Sequence, residues 1–309
     1  MQGLLRFWGT ACLLCLTLFF AVATLAIISN TWGSSTAMPR GQDRVAVIDV
    51  KGVIYKSGAF GKRINELLED KKVKALVVRI NSPGGLVGPS QEIYRSIKKA
   101  NEKLPVVASI GSVGASGGYY AALGARKIYA NPGSITASIG VISEFANLEK
   151  LYQWAKIDRF ALKSGKLKDV GSETRKMTPE EREFLTQLLM DIHRDFKMAV
   201  QEERKLTPEE TEKWTDGRIM TGSQALAAKL IDGVGGMDEA VLEAKKLANL
   251  PGEAPVDYPE SGKKNFLKEL LSSEEEESLT GDAWQKLQFF FSQLASRPGW
   301  RVWLLAPVS

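Results

Sequence analysis

The residues best suited to covalent chemistry lie in two glycine-rich turns. Gly114-Ala115-Ser116-Gly117-Gly118 follows Val106-Val107-Ala108-Ser109-Ile110, a β-branched apolar run that reads as a buried strand. It precedes Tyr119–Leu123, the small, apolar start of a buried helix. Glycine permits φ > 0 and close backbone approach, so such a strand-to-helix turn can present a hydroxyl on exposed backbone. A helix starting at Ser116 also aims unpaired N–H groups and a positive dipole end at whatever binds there. A serine nucleophile that must stabilise an oxyanion needs these features. One such loop alone is more commonly a packing turn, but the chain has a second. Asn81-Ser82-Pro83-Gly84-Gly85 leaves the strand pattern Ala75–Ile80 and enters a helix over roughly 88–101. At the carboxyl ends of successive parallel strands the two loops lie side by side, where α/β sheets bind ligands. One then supplies backbone N–H donors, the other the nucleophile.

The base that would activate Ser116 is less obvious, because the chain has one histidine, His193. Gly114, Ser116 and Gly118 satisfy G-x-S-x-G, and the chain order Ser116, then Asp158, Asp169 or Asp191, then His193 is permitted for a hydrolase triad. His193, however, falls inside a helical stretch among Asp191, Arg194 and Asp195, which suits a surface or boundary residue. A lysine is the other known partner of a catalytic serine. Lys163-Ser164-Gly165-Lys166-Leu167-Lys168-Asp169 offers three. A lysine base must be neutral, so its pKa must fall from about 10.4 toward about 7–8 by desolvation. The local pattern leaves Lys163, Lys166 and Lys168 open. Ser96/Lys99 and Ser261/Lys264 fit S-x-x-K but lack the partner motifs that give it meaning, and are set aside.

The elements that must position these groups alternate in type. Strand patterns at Val45–Val50, Ala75–Ile80, Val106–Ile110, Lys127–Ala130 and Ile139–Ile142 are interleaved with a helix near Gly61–Asp70 and the two helices that follow the glycine turns. This alternation predicts a largely parallel α/β sheet. Thr178-Pro179-Glu180-Glu181 and Thr207-Pro208-Glu209-Glu210 are helix starts with proline at the first position and glutamate at the third. The first opens a helix to about Arg204. Thr221-Gly222-Ser223 opens an Ala/Leu-rich helix ending near Ile231-Asp232-Gly233, and another begins around Met237.

The chain has 309 residues, 44% of them apolar, enough for one large domain with appendages. Its net charge of +5 is scattered, without a basic stripe interleaved with aromatics, which argues against nucleic-acid binding. Phe7–Ile28 holds no charged residue, and as a helix it would span about 33 Å, enough for a bilayer core of about 30 Å. It is longer than the apolar region of a cleavable signal peptide, about 7–15 residues. Residues 1–29 therefore read as a retained transmembrane anchor, 30–44 as a linker, 45–250 as the catalytic body and 251–309 as a tail with an amphipathic helix. The large body favours a location outside the cytoplasm. Cys12 and Cys15 lie within the apolar segment, as buried filler.

Taken together, Asn81–Gly85, Gly114–Tyr120, Ser138-Ile139-Gly140-Val141, Lys163-Ser164-Gly165 with Lys168-Asp169, and Gly217-Arg218 with Thr221-Gly222 resemble bacterial signal peptide peptidase A, or protease IV, in its short, membrane-anchored, single-domain form. The resemblance runs from about Val45 to Val241. It implies a Clp-protease/crotonase-like fold of ββα units and a Ser/Lys dyad. Ser116 is then the nucleophile and Lys168 the general base, with Ser138 orienting the lysine. Gly117 and one of Gly84 or Gly85 form the oxyanion hole. The resemblance further implies ring-shaped homo-oligomers, octamers in this size class, in the bacterial inner membrane. It implies no metal or organic cofactor, and short hydrophobic peptides, the remnants of cleaved signal peptides, as substrates. Three other readings compete: a crotonase-like acyl-CoA enzyme, an α/β-hydrolase-type esterase using Ser116 and His193, and a non-catalytic membrane scaffold.

Overall fold

The computed structural model of the protein describes residues 41–259. The apolar segment Phe7–Ile28, with Cys12 and Cys15, and the tail beyond Pro259 lie outside the described residues. Among the described residues no helix is long and apolar enough to cross a membrane.

Three long strands form the centre: β1 (Arg44–Lys51), β2 (Val73–Ser82) and β3 (Val106–Ala115). They pair in parallel, β1 with β2 and β2 with β3. Their residues alternate between two faces. Ala46, Ile48, Leu76, Val78, Val106 and Ala108 enter the larger core, while Val45, Val47, Ala75, Val77 and Val107 enter a smaller one. Both faces are covered, so these strands are apolar almost throughout, as parallel strands must be. The larger core includes residues of α1 (Gly58–Glu69), α2 (Val87–Asn101), α3 (Gly117–Ala122) and the long α5 (Pro179–Arg204). Ala240, Val241 and Ala244 of α8 (Met237–Leu247) close the smaller one. Between α3 and α5 lies the short α4 (Glu149–Trp154), and between α5 and α8 lie α6 (Pro208–Trp214) and α7 (Gly222–Ala227).

β3 forks. Its first half, Val107–Ile110, pairs with β4 (Lys127–Ala130), and its last residues, Val113–Ala115, pair with β5 (Ile135–Ala137). β6 (Ile219–Thr221) joins β5 antiparallel, β7 (Gly233–Val234) joins β4, and β8 (Val256–Asp257) joins β1, giving eight strands. The sheet thus reaches beyond residue 250.

Both threonine caps form as the sequence predicts: Thr178 and Thr207 each accept from the N–H three residues on, and Glu181 and Glu210 reciprocate. Two expectations fail locally. Ile139–Ile142 is not a strand; the strand here is β5, which ends because Ala137 and Ser138 both adopt left-handed backbone, φ 62° and 52°. Two successive residues of that kind cannot continue an extended ladder. Likewise α7 stops at Ala227, well before Ile231, because Lys229 at φ 61° turns the chain and sends Leu230 and Ile231 into the core.

Candidate active site

The two glycine turns meet at the carboxyl ends of β2 and β3. Between Ile80 and Ser82 the partner register on β3 jumps from Ile110 to Gly114, so Gly111–Val113 bulges out of the ladder. Short polar side chains hold this bulge. Asn81 Oδ1 accepts from the Ser112 N–H at 2.7 Å, Thr136 Oγ1 donates to the Gly114 carbonyl at 2.8 Å, and Ser134 donates to the Gly111 carbonyl. A bulge re-aims the strand that carries it, here toward Ser116.

Ser116 itself has φ 51° and ψ −121°. This backbone region is sparsely populated for a residue with a side chain and costs on the order of 1–3 kcal/mol. The surroundings enforce it: the Ser116 N–H donates to the Ala137 carbonyl at 2.8 Å, and its own carbonyl accepts from Tyr120 at 2.8 Å. Below the turn, Tyr119 is fully buried and donates to the Leu230 carbonyl at 2.7 Å. Tyr120 stacks edge-on against Tyr94, with ring centroids 5.3 Å apart. The Ser116 hydroxyl makes no hydrogen bond among the described residues, and the residue is partly exposed.

Absent side chains decide how closely the donor loop can approach. A Cβ on Gly84, whose φ is 103°, would stand 2.7 Å from the Gly117 nitrogen and 3.0 Å from the Ser116 Cβ. One on Gly117 would strike Ser90 of α2, and one on Gly85 the Ile54 backbone. The Gly84 N–H is already committed, donating to the buried Ser82 hydroxyl at 3.1 Å, and its carbonyl accepts from Ile54 at 2.9 Å. The N–H groups of Gly85 and Gly117 have no hydrogen-bond acceptor among the described residues.

Ser138 is one residue beyond the carbonyl that anchors Ser116, and its N–H donates to the Arg218 carbonyl at 2.9 Å. Gly217, at φ 90°, allows the turn that offers this carbonyl. The three candidate lysines separate clearly. Lys163 Nζ pairs with Asp169 Oδ1 at 2.5 Å, and Lys166 pairs with Glu180. The Lys168 amine is exposed and has no hydrogen bond or ion pair among the described residues, Ser116 included. Thus Ser116, Gly84, Gly85, Gly117 and Ser138 come together within one body, while Lys168 stays on an exposed, irregular segment.

The histidine triad does not assemble. The His193 Nε2 is 3.2 Å from the Ile139 carbonyl, Asp191 pairs with Arg194, and Asp169 pairs with Lys163 and Arg175. The Lys163 ammonium, and next the Arg175 guanidinium, hold the Asp169 carboxyl below its usual range. Among the described residues no group of three or more His, Cys, Asp and Glu is placed to hold a metal. The supports Asn81, Ser82, Ser134 and Thr136 escape a reading of the sequence. Their one signal is the occurrence of short polar residues where apolar strands end.

A parallel sheet whose strand ends present a strained serine beside free backbone donors defines a serine hydrolase. Comparison with known proteins narrows it: residues 98–251 match peptidase family S49. A protein of Synechocystis sp., slr0021, provisionally named a protease, is 43% identical over 223 residues, 71% of this chain and 80% of that protein. The chain also aligns with the chloroplastic serine protease SPPA of Arabidopsis thaliana, 34% identical over 68% of this chain and 33% of the relative. Protease 4 of Salmonella typhi is 34% identical over 61% and 30% respectively. The chain thus spans about a third of those two relatives. It belongs to peptidase family S49 and is a serine peptidase.

Proposed function

We propose that this protein cleaves short apolar peptides of the signal-peptide kind through a Ser116/Lys168 dyad. The observation that carries the reading is the left-handed Ser116 flanked by the unengaged N–H groups of Gly85 and Gly117. Neutral Lys168 accepts the Ser116 proton as Oγ attacks the scissile carbonyl. The two N–H groups receive the oxyanion, which is the largest single contribution in many acyl transfers. Lys168 then returns the proton to the leaving amine, and water, deprotonated by the same amine, releases the acyl group. Gly85 is preferred over Gly84 as donor because the Gly84 N–H is bound to Ser82. Lys168 is preferred over Lys163 and Lys166 because both of those are bound to carboxylates. Ser138 accompanies the site as the group that orients the amine.

Lys168 meets Ser116 only when its segment is brought over the nucleophile, and homo-oligomeric ring assembly accounts for this. Supporting it are Ile142, Trp154, Phe160 and Leu162 on the same stretch of chain, 79–94% exposed. The peptide substrate is supported by a relative from Enterococcus faecium, provisionally named signal peptide peptidase SppA, 30% identical over 70% of this chain and 67% of that protein. Anchoring by Phe7–Ile28, with the body on the extracytoplasmic side of the bacterial inner membrane, would place the site near such substrates. Protease added to intact spheroplasts should then digest the body.

The chemistry is tested on a synthetic signal peptide, with products identified by mass spectrometry. Ser116→Ala and Lys168→Ala should each reduce kcat on the order of 10⁴-fold or more, and the double variant should be little worse, as for residues that work as one unit. Ser138→Ala should lose less, about tenfold to a hundredfold. A fully active Lys168→Ala enzyme would refute the dyad.

A further inference from the structure

The loop that bears Lys168 has no regular secondary structure, yet ion pairs from Lys166 and Arg175 tie it to the start of α5. Arg175 reaches in two directions. Its guanidinium makes a bidentate pair with Glu181, Nη1 to Oε2 at 2.8 Å and Nη2 to Oε1 at 2.5 Å. It also contacts the carboxylate of Asp169, the residue beside Lys168, with Nη2 2.9 Å and Nε 3.2 Å from Oδ2. Glu181 is no ordinary surface partner. Only 4% exposed, it also closes the capping box of α5, accepting from the Thr178 N–H at 2.9 Å. Arg175 therefore ties the base loop to the rigid end of the longest helix. Lys163 completes the group from the far side of Asp169, so two cations face two carboxylates.

Resting on the assignment of Lys168 as the base, we propose that Arg175 is its positioning residue. It holds Asp169 against the start of α5 and balances the carboxylate that stands beside Lys168 in the chain. The physical need is specific. A carboxylate free beside a lysine favours the ammonium form and so opposes its use as a base. The cluster comprises Lys163, Lys166, Asp169 and Arg175 from the loop and Glu180 and Glu181 from α5; Glu173, which pairs with Arg159, and Lys176 lie on the same stretch as Lys168, and Arg182 and Glu183 follow on α5. Lys166 pairs with Glu180, so Asp169 and Glu181 depend on Lys163 and Arg175 alone. Removing Arg175 leaves Glu181 without its cation and Asp169 with Lys163 alone, so the group beside Lys168 in the chain is one positive charge short. It also removes one of the ties to α5 that the loop would carry when brought over Ser116, where a misplacement on the order of 1 Å costs about a hundredfold in rate.

The test uses the full-length protein and a synthetic signal peptide, with kcat followed against pH. Arg175→Met should lower kcat at neutral pH by tenfold or more and move the rising limb of the profile upward by about one unit. Asp169→Asn, which keeps the Arg175–Glu181 pair, should move that limb downward. In the Arg175→Met/Asp169→Asn double variant the limb should return toward its wild-type position. Arg175→Lys, which keeps the charge but loses the fork, should restore the limb and only part of kcat. A purely structural role would lower kcat in Arg175→Met with the limb unmoved, and that result overturns the proposal. Should Arg175→Met not fold, the direction of the Asp169→Asn shift decides alone, no shift or an upward one overturning it. Lys168→Ala, run in parallel, separates the two ideas. If it is inactive while Arg175→Met matches wild type, this inference fails and the dyad stands; if it is active, the dyad itself fails.

Discussion

The Ser116 side and the Lys168 side of this enzyme are built by opposite means. Around Ser116 the backbone is packed so closely that a single Cβ at Gly84 or Gly117 would collide with its neighbours. Four short polar side chains, Asn81, Ser82, Ser134 and Thr136, bind the Ser112 and Gly84 N–H groups and the Gly111 and Gly114 carbonyls around it. From Ser138 to Met177 the chain holds one six-residue helix, α4, and ion pairs join its parts to one another and to α5. Several apolar residues there face outward, Leu162 at 94% exposed and Phe160 at 85%. A nucleophile and its oxyanion donors must be held within about 0.5 Å of their productive geometry, which rigid sheet ends can do. An irregular, charged segment such as the one that bears Lys168 can instead be moved into place when a further surface covers its apolar side, since large exposed apolar patches mark contact sites.

After Ser116 and Lys168 themselves, the packed side should give the largest effect. Gly84→Ala should reduce kcat on the order of a hundredfold or more by displacing the Gly117 donor. It should also lower Tm, because the new side chain sits at a positive φ against the backbone. A near-normal kcat would mean that the loops are not as tightly juxtaposed as their geometry demands.

The exposed side should respond through assembly rather than folding. Replacing Trp154 and Phe160 together by Ser should leave Tm close to wild type and weaken self-association. A buried side chain of this size contributes roughly 1.5–3 kcal/mol, about tenfold or more in affinity for each. Sedimentation velocity should show smaller species, with activity falling in step. Unchanged sedimentation and kinetics would remove the basis for a ring closed by this segment.

Acid should loosen the base side in a definite window. The Arg175 guanidinium, then the Thr178 N–H, lower the Glu181 pKa to about 2 from its ordinary 4.5. A carboxyl depressed by folding stabilises the fold fully above its unfolded pKa and loses that contribution as pH falls toward the folded one. The Tm of the wild type should therefore decline between about pH 4.5 and about pH 2 more steeply than that of Glu181→Gln. Parallel curves would show that the Arg175–Glu181 pair does not couple to folding.

The smallest effect belongs to His193. His193→Ala removes one hydrogen bond to the Ile139 carbonyl, at a cost of about 0.5–1.5 kcal/mol. It should leave kcat within about twofold of wild type, where a triad base would lose several orders of magnitude.

Much of this protein is determined by local sequence alone. Val45–Val50, Ala75–Ile80 and Val106–Ile110 are strands because a β-branched apolar run between two covered faces has no better conformation. Thr178 and Thr207 start helices because Pro and Glu follow at the positions where a cap needs them. The two glycine turns are recognisable for the same reason, since their steric permissiveness belongs to the residue itself. The local pattern leaves open everything that depends on which groups already have partners. Gly84 and Gly85 are equivalent as letters; only the folded chain commits the Gly84 N–H to Ser82 and leaves the Gly85 N–H free. Lys163, Lys166 and Lys168 are three lysines in one run until Asp169 and Glu180 take two of them. The Ile139–Ile142 run has strand composition yet no ladder, because left-handed backbone at Ala137 and Ser138 ends β5 first. Hydrogen bonds and ion pairs join residues far apart in the chain, so their allocation is a property of tertiary structure and not of any local pattern.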